Sequence, residues 1–463
     1  MRILFRFFIG LFLCIELSNI HAQCLTNIFA GNDNNFIIRD DGSLWAWGLN
    51  GFGQLGDGSE SDKNIATKIG NEYNWQTMAI ANYHSLAIKI DGTLWSWGYN
   101  AFGQLGDGTK IIRKLPNQVG NSGNWDKVAN GSAHSLALKK DGTIWSWGSN
   151  TFRQLGDGTN SDSNIPKEIG FENDWKSIYA GAWTSFALKK DGSLWGWGYN
   201  NNGQLGLGTI NNVSQPTKIT SVVDWKDLSF GLFHSLLIRN DGTLWGWGLN
   251  HLGQIEKGRS ESILSPIQIG SESDWAKIAA GGYHSLGIKQ NGTLWAWGHN
   301  NKGQLGDNTE VLIQPPIQIG NETNWKHVIA GDHHSIGIKD DETMWIWGAN
   351  FHGALGVGSN VDINYPIQMS FISCISTNVD QSTRNMDVNL YPNPSNKELF
   401  IQCLESYDSD VRFDIISTSG EIMKTIQNFN SVKIINIEHF SEGLYFLRIE
   451  NGNEYLLKPF MKI

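Results

Sequence analysis

Histidine recurs at one spacing in this chain: His84, His134, His234, His284 and His334 stand at multiples of 50 residues, with Asn34 and Thr184 at the two remaining steps. Five imidazoles in register suggest a metal ring. A metal, however, needs its ligands to converge within about 2 Å of one ion, and one residue per repeat spreads around the array instead. The pattern predicts structural histidines, each followed by a small residue and hydrogen-bonded within its own unit. Asp57, Asp107, Asp157 and Asp307 also repeat, but without the clustered acidic loop that calcium requires they read as turn residues. The Gly-Gln-Leu-Gly segments precede strands rather than helices, so they are not phosphate cradles. Asp33, Asp332 and Glu256 are the acids that an enzyme acting on polysaccharide would use, yet they show no paired spacing. No catalytic residue, metal or cofactor is expected.

The elements that carry these residues follow from the same period. Trp-x-Trp-Gly recurs seven times, from Trp45 to Trp345, and a further Trp lies at 75, 125, 175, 225, 275 and 325. A period of 50 is the mark of a solenoid or propeller. In the second unit Gln76–Ala81 is apolar and ends in small residues (strand A), and His84–Ile90 alternates (strand B). Asp91-Gly92 supplies a two-residue hairpin turn. Thr93–Gly98 alternates again (strand C), and after a glycine-rich loop comes a short apolar strand D at Asn117–Gly120. Four antiparallel strands per unit and apolar character on both faces predict a seven-bladed β-propeller over residues 23–374.

Small residues ending strand A suit a crowded axis, which makes A the innermost strand and places the A–B turns around the channel mouth. The C–D loops fall on the same rim. Positions shared by all units serve the fold; positions that vary are available for a task. The variable turn position carries Asp33, Tyr83, Ala133, Trp183, Phe233, Tyr283 and His333. The C–D loops carry Phe52, Tyr99, Phe102, Phe152, Tyr199, His251, His299, Phe351 and His352. Exposed aromatic clusters mark protein or glycan contacts. Tyr83, Trp183, Phe233, Tyr283, His333, Tyr99, Phe102, Phe152 and Tyr199 are therefore the candidate ligand-binding rim.

The 463 residues carry a net charge of −10 and no basic run, which argues against a nucleic-acid partner. Arg2 and Arg6 precede a short apolar stretch ending near Ala22, the pattern of a secretory signal peptide spanning residues 1–22. Cys24 and Cys374 are seven periods apart, so a closed ring would bring them together; a disulfide stapling first blade to last is expected, with Cys403 left over as an apolar residue. A polar linker, 375–387, separates the propeller from a tail of short alternating strands, 388–463, that reads as a small immunoglobulin-like β-sandwich.

Two resemblances extend this reading. The run Gly-x-x-His-Ser-Leu-Ala with Asp-Gly-Thr-Leu-Trp-Ser-Trp-Gly and Gly-Gln-Leu-Gly-Asp-Gly, well displayed over 81–108 and 130–158, resembles the repeat of the regulator of chromosome condensation family. It implies a seven-bladed propeller and no single activity. The wedge insertion of that family's nucleotide exchange factor has no counterpart in these evenly spaced units, so no guanine-nucleotide exchange partner is expected. The tail motif of Tyr391, Pro392, Asn393 and Pro394, then Gly420, then Gly443 with Tyr445, then Lys458, resembles the type A sorting domain of type IX secretion cargo. That resemblance implies recognition by the type IX machinery and a secreted or outer-surface location on a Gram-negative bacterium. The chain thus reads as a secreted or cell-surface binding protein with a protein or glycan ligand; a polysaccharide-acting enzyme and a purely structural surface protein are the alternatives.

Overall fold

In the computed structural model the described residues are 27–256, 261–311, 314–369, 388–391, 397–403, 412–417, 422–426, 432–441, 443–451 and 454–462. Cys24 and Cys374, the expected signal peptide, and the sorting-motif residues Pro392, Asn393, Pro394 and Gly420 lie outside them. The chain divides into two compact units, 1–375 and 376–463.

The first unit is a seven-bladed propeller. Each blade is a four-stranded antiparallel sheet in the order A-B-C-D, built from one contiguous piece of chain. In blade II the strands are Trp75–Ile80, His84–Lys89, Leu94–Gly98 and Arg113–Gln118. Two local expectations need correction. Strand D begins four residues earlier than its apolar signal suggested: it is a half-exposed outer edge with Pro116 inside it, a residue tolerated only where the ladder has no further partner. The B–C hairpin has a three-residue loop rather than a two-residue one. The Gly92 amide donates to the Lys89 carbonyl at 2.8 Å, and Lys89 and Thr93 close the ladder at 3.1 Å. Only Gly92 has a positive φ, +79°, while Asp91 caps the Thr93 amide at 2.9 Å.

The two tryptophans of each Trp-x-Trp-Gly sit on one face of strand C and do different work. The second (Trp47, Trp97, Trp147, Trp197, Trp247, Trp297, Trp347) is wholly buried between blades. Each such side chain removes some 150–250 Å² from water, about 4–6 kcal/mol of gross burial. The first packs edge-on against the strand-A tryptophan, as in Trp75–Trp95 at 6.0 Å, and the Lys89 ammonium lies 3.6 Å from the Trp95 ring centre.

Among the described residues, blade VII meets blade I without exchanging a strand. Ile28, Ile37 and Trp47 share one core with Ile336, Ile338, Met344 and Leu355. The Trp47 and Asn35 side chains both donate to the Ala354 carbonyl at 2.8 Å, and the Gly358 amide donates to Asn64 at 2.7 Å.

The second unit is a β-sandwich. Strands Val388–Tyr391, Glu398–Cys403 and Val432–Asn436 form one sheet; Ile422–Ile426, Arg412–Ser417, Gly443–Asn451 and Glu454–Lys462 form the other. One core of Leu399, Ile401, Phe413, Ile415, Leu447, Ile449 and Phe460 joins them. Tyr391, Gly443, Tyr445 and Lys458 fall on these strands. Tyr445 stacks on Phe460 at 5.8 Å, and its hydroxyl donates to the Ser441 carbonyl at 3.0 Å.

Candidate binding rim

The repeated histidines explain what holds the rim in place. His84 Nε2 lies 2.9 Å from Ser135 Oγ, and that hydroxyl donates to the Gln104 carbonyl at 2.7 Å. The same chain links His134 to Ser185, His234 to Ser285 and His284 to Ser335, each at 2.9 Å. His334 closes the ring onto Asn35 Oδ1 at 2.8 Å. The bond therefore runs to the next blade, not within the blade as the sequence led us to expect. Because the serine proton is committed to the glutamine carbonyl, Nε2 must be the protonated donor and Nδ1 carries only a lone pair. In all five rings that Nδ1 is buried without a hydrogen-bond partner among the described residues. At Gly131 an added Cβ would fall 2.6 Å from His134 Nδ1, so the absence of a side chain there is what admits the ring.

Burial keeps these imidazoles neutral. It pulls His84, His134 and His234 down to about 3 and His334 to about 4, and holds His284 well below the ordinary value. The same Gln104 carbonyl also accepts Trp147 Nε1 at 2.8 Å, a contact matched at every seam. Between blades IV and V, where Thr184 replaces histidine, Phe186 stacks on Phe230 at 4.1 Å instead. Asp57, Asp107, Asp157 and Asp307 cap the loop residues that follow them, as Asp107 does for the Thr109 amide at 2.9 Å.

On this frame the A–B turns and C–D loops share one rim, and strand A is innermost. The mouth cavity is lined by the ends of the A strands and the turns that follow them. The rim aromatics join in two groups. Phe52, Tyr83 and Tyr99 contact one another at 4.8–6.2 Å, and Phe102, 39 % exposed, adjoins Tyr99 at 6.4 Å. The second group is an arc over five blades, from Phe152 on blade III to His333 on blade VII. Phe152 and Tyr199 meet at 4.9 Å and both touch Trp183; Trp183 reaches Phe233 at 5.9 Å, and Phe233 reaches Tyr283 at 5.3 Å. Tyr283 then contacts His251, His299 and His333. Tyr83, Tyr99, Phe152, Trp183, Tyr199, Phe233, Tyr283 and His333 are all half-buried, so each packs on its neighbours and leaves part of its ring to solvent. Phe351 stands apart from the arc, 50 % exposed and capped by the Lys302 ammonium at 4.1 Å.

Beyond His333 the rim turns acidic. Burial raises Asp33 against the pull of His333 and His352, and burial together with Asp33 pushes Asp332 up to about 8. Burial lowers His299 and His333. His352 pairs with Asp62 at 2.7 Å, and Lys302 with Asp362 at 3.3 Å. Glu256 lies on blade V, away from the Asp33–Asp332 pair on blades I and VII. Among the described residues no three His, Cys, Asp or Glu side chains form a metal-binding group.

Sequence reasoning passed over the polar residues inside the mouth. Asn130 ends strand A where the other six blades carry Ala30, Ile80, Ala180, Phe230, Ala280 and Ala330. That single departure was the available signal.

Comparison with known families agrees with this geometry. The RCC1-like domain matches residues 81–271 and 124–386, and regulator of chromosome condensation (RCC1) repeats match 25–54 and 41–88. A secretion system C-terminal sorting domain matches 389–462. Human WBSCR16 is similar at 22 % identity and a TM-score of 0.64, over 70 % of this chain and 93 % of that one. Prp20p of Saccharomyces cerevisiae, described with its binding to Gsp1p and histones, is similar at 25 % identity and 0.59, over 68 % and 83 %. Yeast RCC1 bound to Kap60 gives 20 % and 0.62, over 82 % and 93 %.

Proposed function

The chain belongs to the RCC1-like propeller family and carries a secretion sorting domain, and from that premise we propose that it is an exported binding protein that holds its ligand on the aromatic rim. The sorting domain implies engagement with the type IX secretion machinery and a secreted or cell-surface destination. A leader at residues 1–22 and a Cys24–Cys374 staple belong to the same proposal.

The observation that carries the reading is the arc from Phe152 to His333. Its residues occupy the positions that differ between blades, while the seam beneath them repeats. Half-buried rings held edge-to-face are rigid and amphipathic, the surface that stacks on sugar faces or on a partner's apolar side chains at little entropic cost. No guanine-nucleotide exchange partner is proposed, since the evenly spaced units offer no wedge.

The test is capture by the full secreted chain from glycan and protein mixtures, beside a variant with Tyr83, Trp183, Phe233 and Tyr283 changed to Ser. The parent is expected to retain a ligand that the folded variant loses. Equal capture by both would move the site off this rim. One feature favours an enzyme reading: burial and the neighbouring Asp33 raise Asp332 to about 8. Release of reducing ends by the parent, lost in Asp33→Asn, would establish it.

A further inference from the structure

We propose that the channel mouth at the centre of the rim receives a small organic cation, an alkylammonium or guanidinium group carried by the rim's ligand. This deepens the binding reading and rests on it.

The mouth cavity has a volume of about 140 Å³, and Asn32, Asn82, Asn130, Ser132 and Asp332 are its polar lining. That is room for one charged head group or several waters. Two of its acceptors are left unpaired. Asn130 is only 8 % exposed. Its Nδ2 donates to the His84 carbonyl at 3.0 Å, which fixes the amide so that Oδ1 cannot be exchanged with it, and this Oδ1 is buried with no partner. Asn32 Oδ1 is likewise buried and unpartnered. The Asp332 carboxylate has no hydrogen bond or ion pair to any described residue. A buried acceptor without a donor costs on the order of 1–3 kcal/mol, so two of them beside the part-exposed Asp332 carboxylate favour a guest that brings N–H groups and positive charge. Tyr283, whose hydroxyl is raised by burial and by Asp332, stands beside that carboxylate. The net charge of −10 draws the same class of ligand from a distance.

Binding must then depend on pH, because the guest replaces a proton on Asp332. The groups around it act in one direction. Asp33 on blade I and Asp332 both gain protons as pH falls. His333 and His299 gain positive charge in stronger acid, and Tyr283 on blade VI stays neutral. Lys302 is paired with Asp362, and His352 with Asp62.

The test is titration of the full chain with n-butylammonium and n-butylguanidinium, against 1-butanol and butyrate, from pH 6 to pH 9. Both cations are expected to bind at least tenfold more tightly than the neutral and anionic probes. Affinity should fall about tenfold per unit below pH 8. Asp332→Asn should weaken the cations at least tenfold while retaining the parent's melting midpoint at pH 6. A Gly-Lys-Gly peptide and a glucosamine tetramer then distinguish a polypeptide source from an amino sugar. Equal binding of butanol, a flat pH profile in the unmodified chain, or undiminished binding by folded Asp332→Asn would each overturn the proposal. If these fail while the four-serine rim variant still loses its captured ligand, the binding rim stands and only the cation is lost.

Discussion

The seam between blades and the rim above it are built from the same repeats, yet they obey opposite rules. At the seam each blade offers a tryptophan indole, and in most blades a serine hydroxyl, to one carbonyl of its neighbour, and five of seven add a neutral imidazole. On the rim, seven turns present Asp33, Tyr83, Ala133, Trp183, Phe233, Tyr283 and His333, with no residue type kept throughout. The difference separates what assembles the ring from what the ring is free to present.

The seam should therefore be far more sensitive to substitution than the rim. Trp147→Ala removes a wholly buried indole and with it one of the two side-chain donors to the Gln104 carbonyl. Chemical denaturation should show a loss of about 3–5 kcal/mol. Acid should attack the same place. The seam histidines have folded pKa values below the ordinary 6.5, so their contribution is complete above that pH and disappears as pH falls toward 3–4. At pH 5 each costs about 2 kcal/mol relative to neutrality. Stability should drop steeply below pH 6 with uptake of several protons. His84→Asn, borrowing the residue found at position 34, should flatten that drop by one proton.

The channel mouth should respond in the opposite sense. Asp332 is raised, so its contribution is complete in acid and disappears as pH rises from about 4 to about 8. Asp332→Asn should consequently be more stable than the parent at pH 9, by on the order of 2 kcal/mol once the water reaching the mouth is allowed for. The smallest effect belongs to the rim proper: Trp183→Ser should change stability by less than about 1 kcal/mol, because the ring is half-buried and sits above the seam rather than in it.

Much of this contrast was legible in the sequence. Strand alternation has a period of two and the blade a period of 50, and together they give seven four-stranded blades with A innermost and the turns and C–D loops on one rim. What was not legible depends on distance through space. His84 is 51 residues from the serine it bonds, and nothing in its own unit reveals that the partner lies one blade on. Strand D was placed late because an outer edge strand is half-exposed and proline-bearing, and so lacks an apolar signature. The demand for donors at Asn130 emerges only once its amide is fixed by His84.

The most direct test of the account measures one protein twice. The full chain with Tyr83, Trp183, Phe233 and Tyr283 changed to Ser would be compared with the parent both for unfolding midpoint and for retention of the captured ligand. The account predicts a midpoint within a few degrees of the parent and ligand retention reduced at least tenfold. A variant that unfolds with the ease of Trp147→Ala, or one that keeps both its midpoint and its ligand, would contradict it.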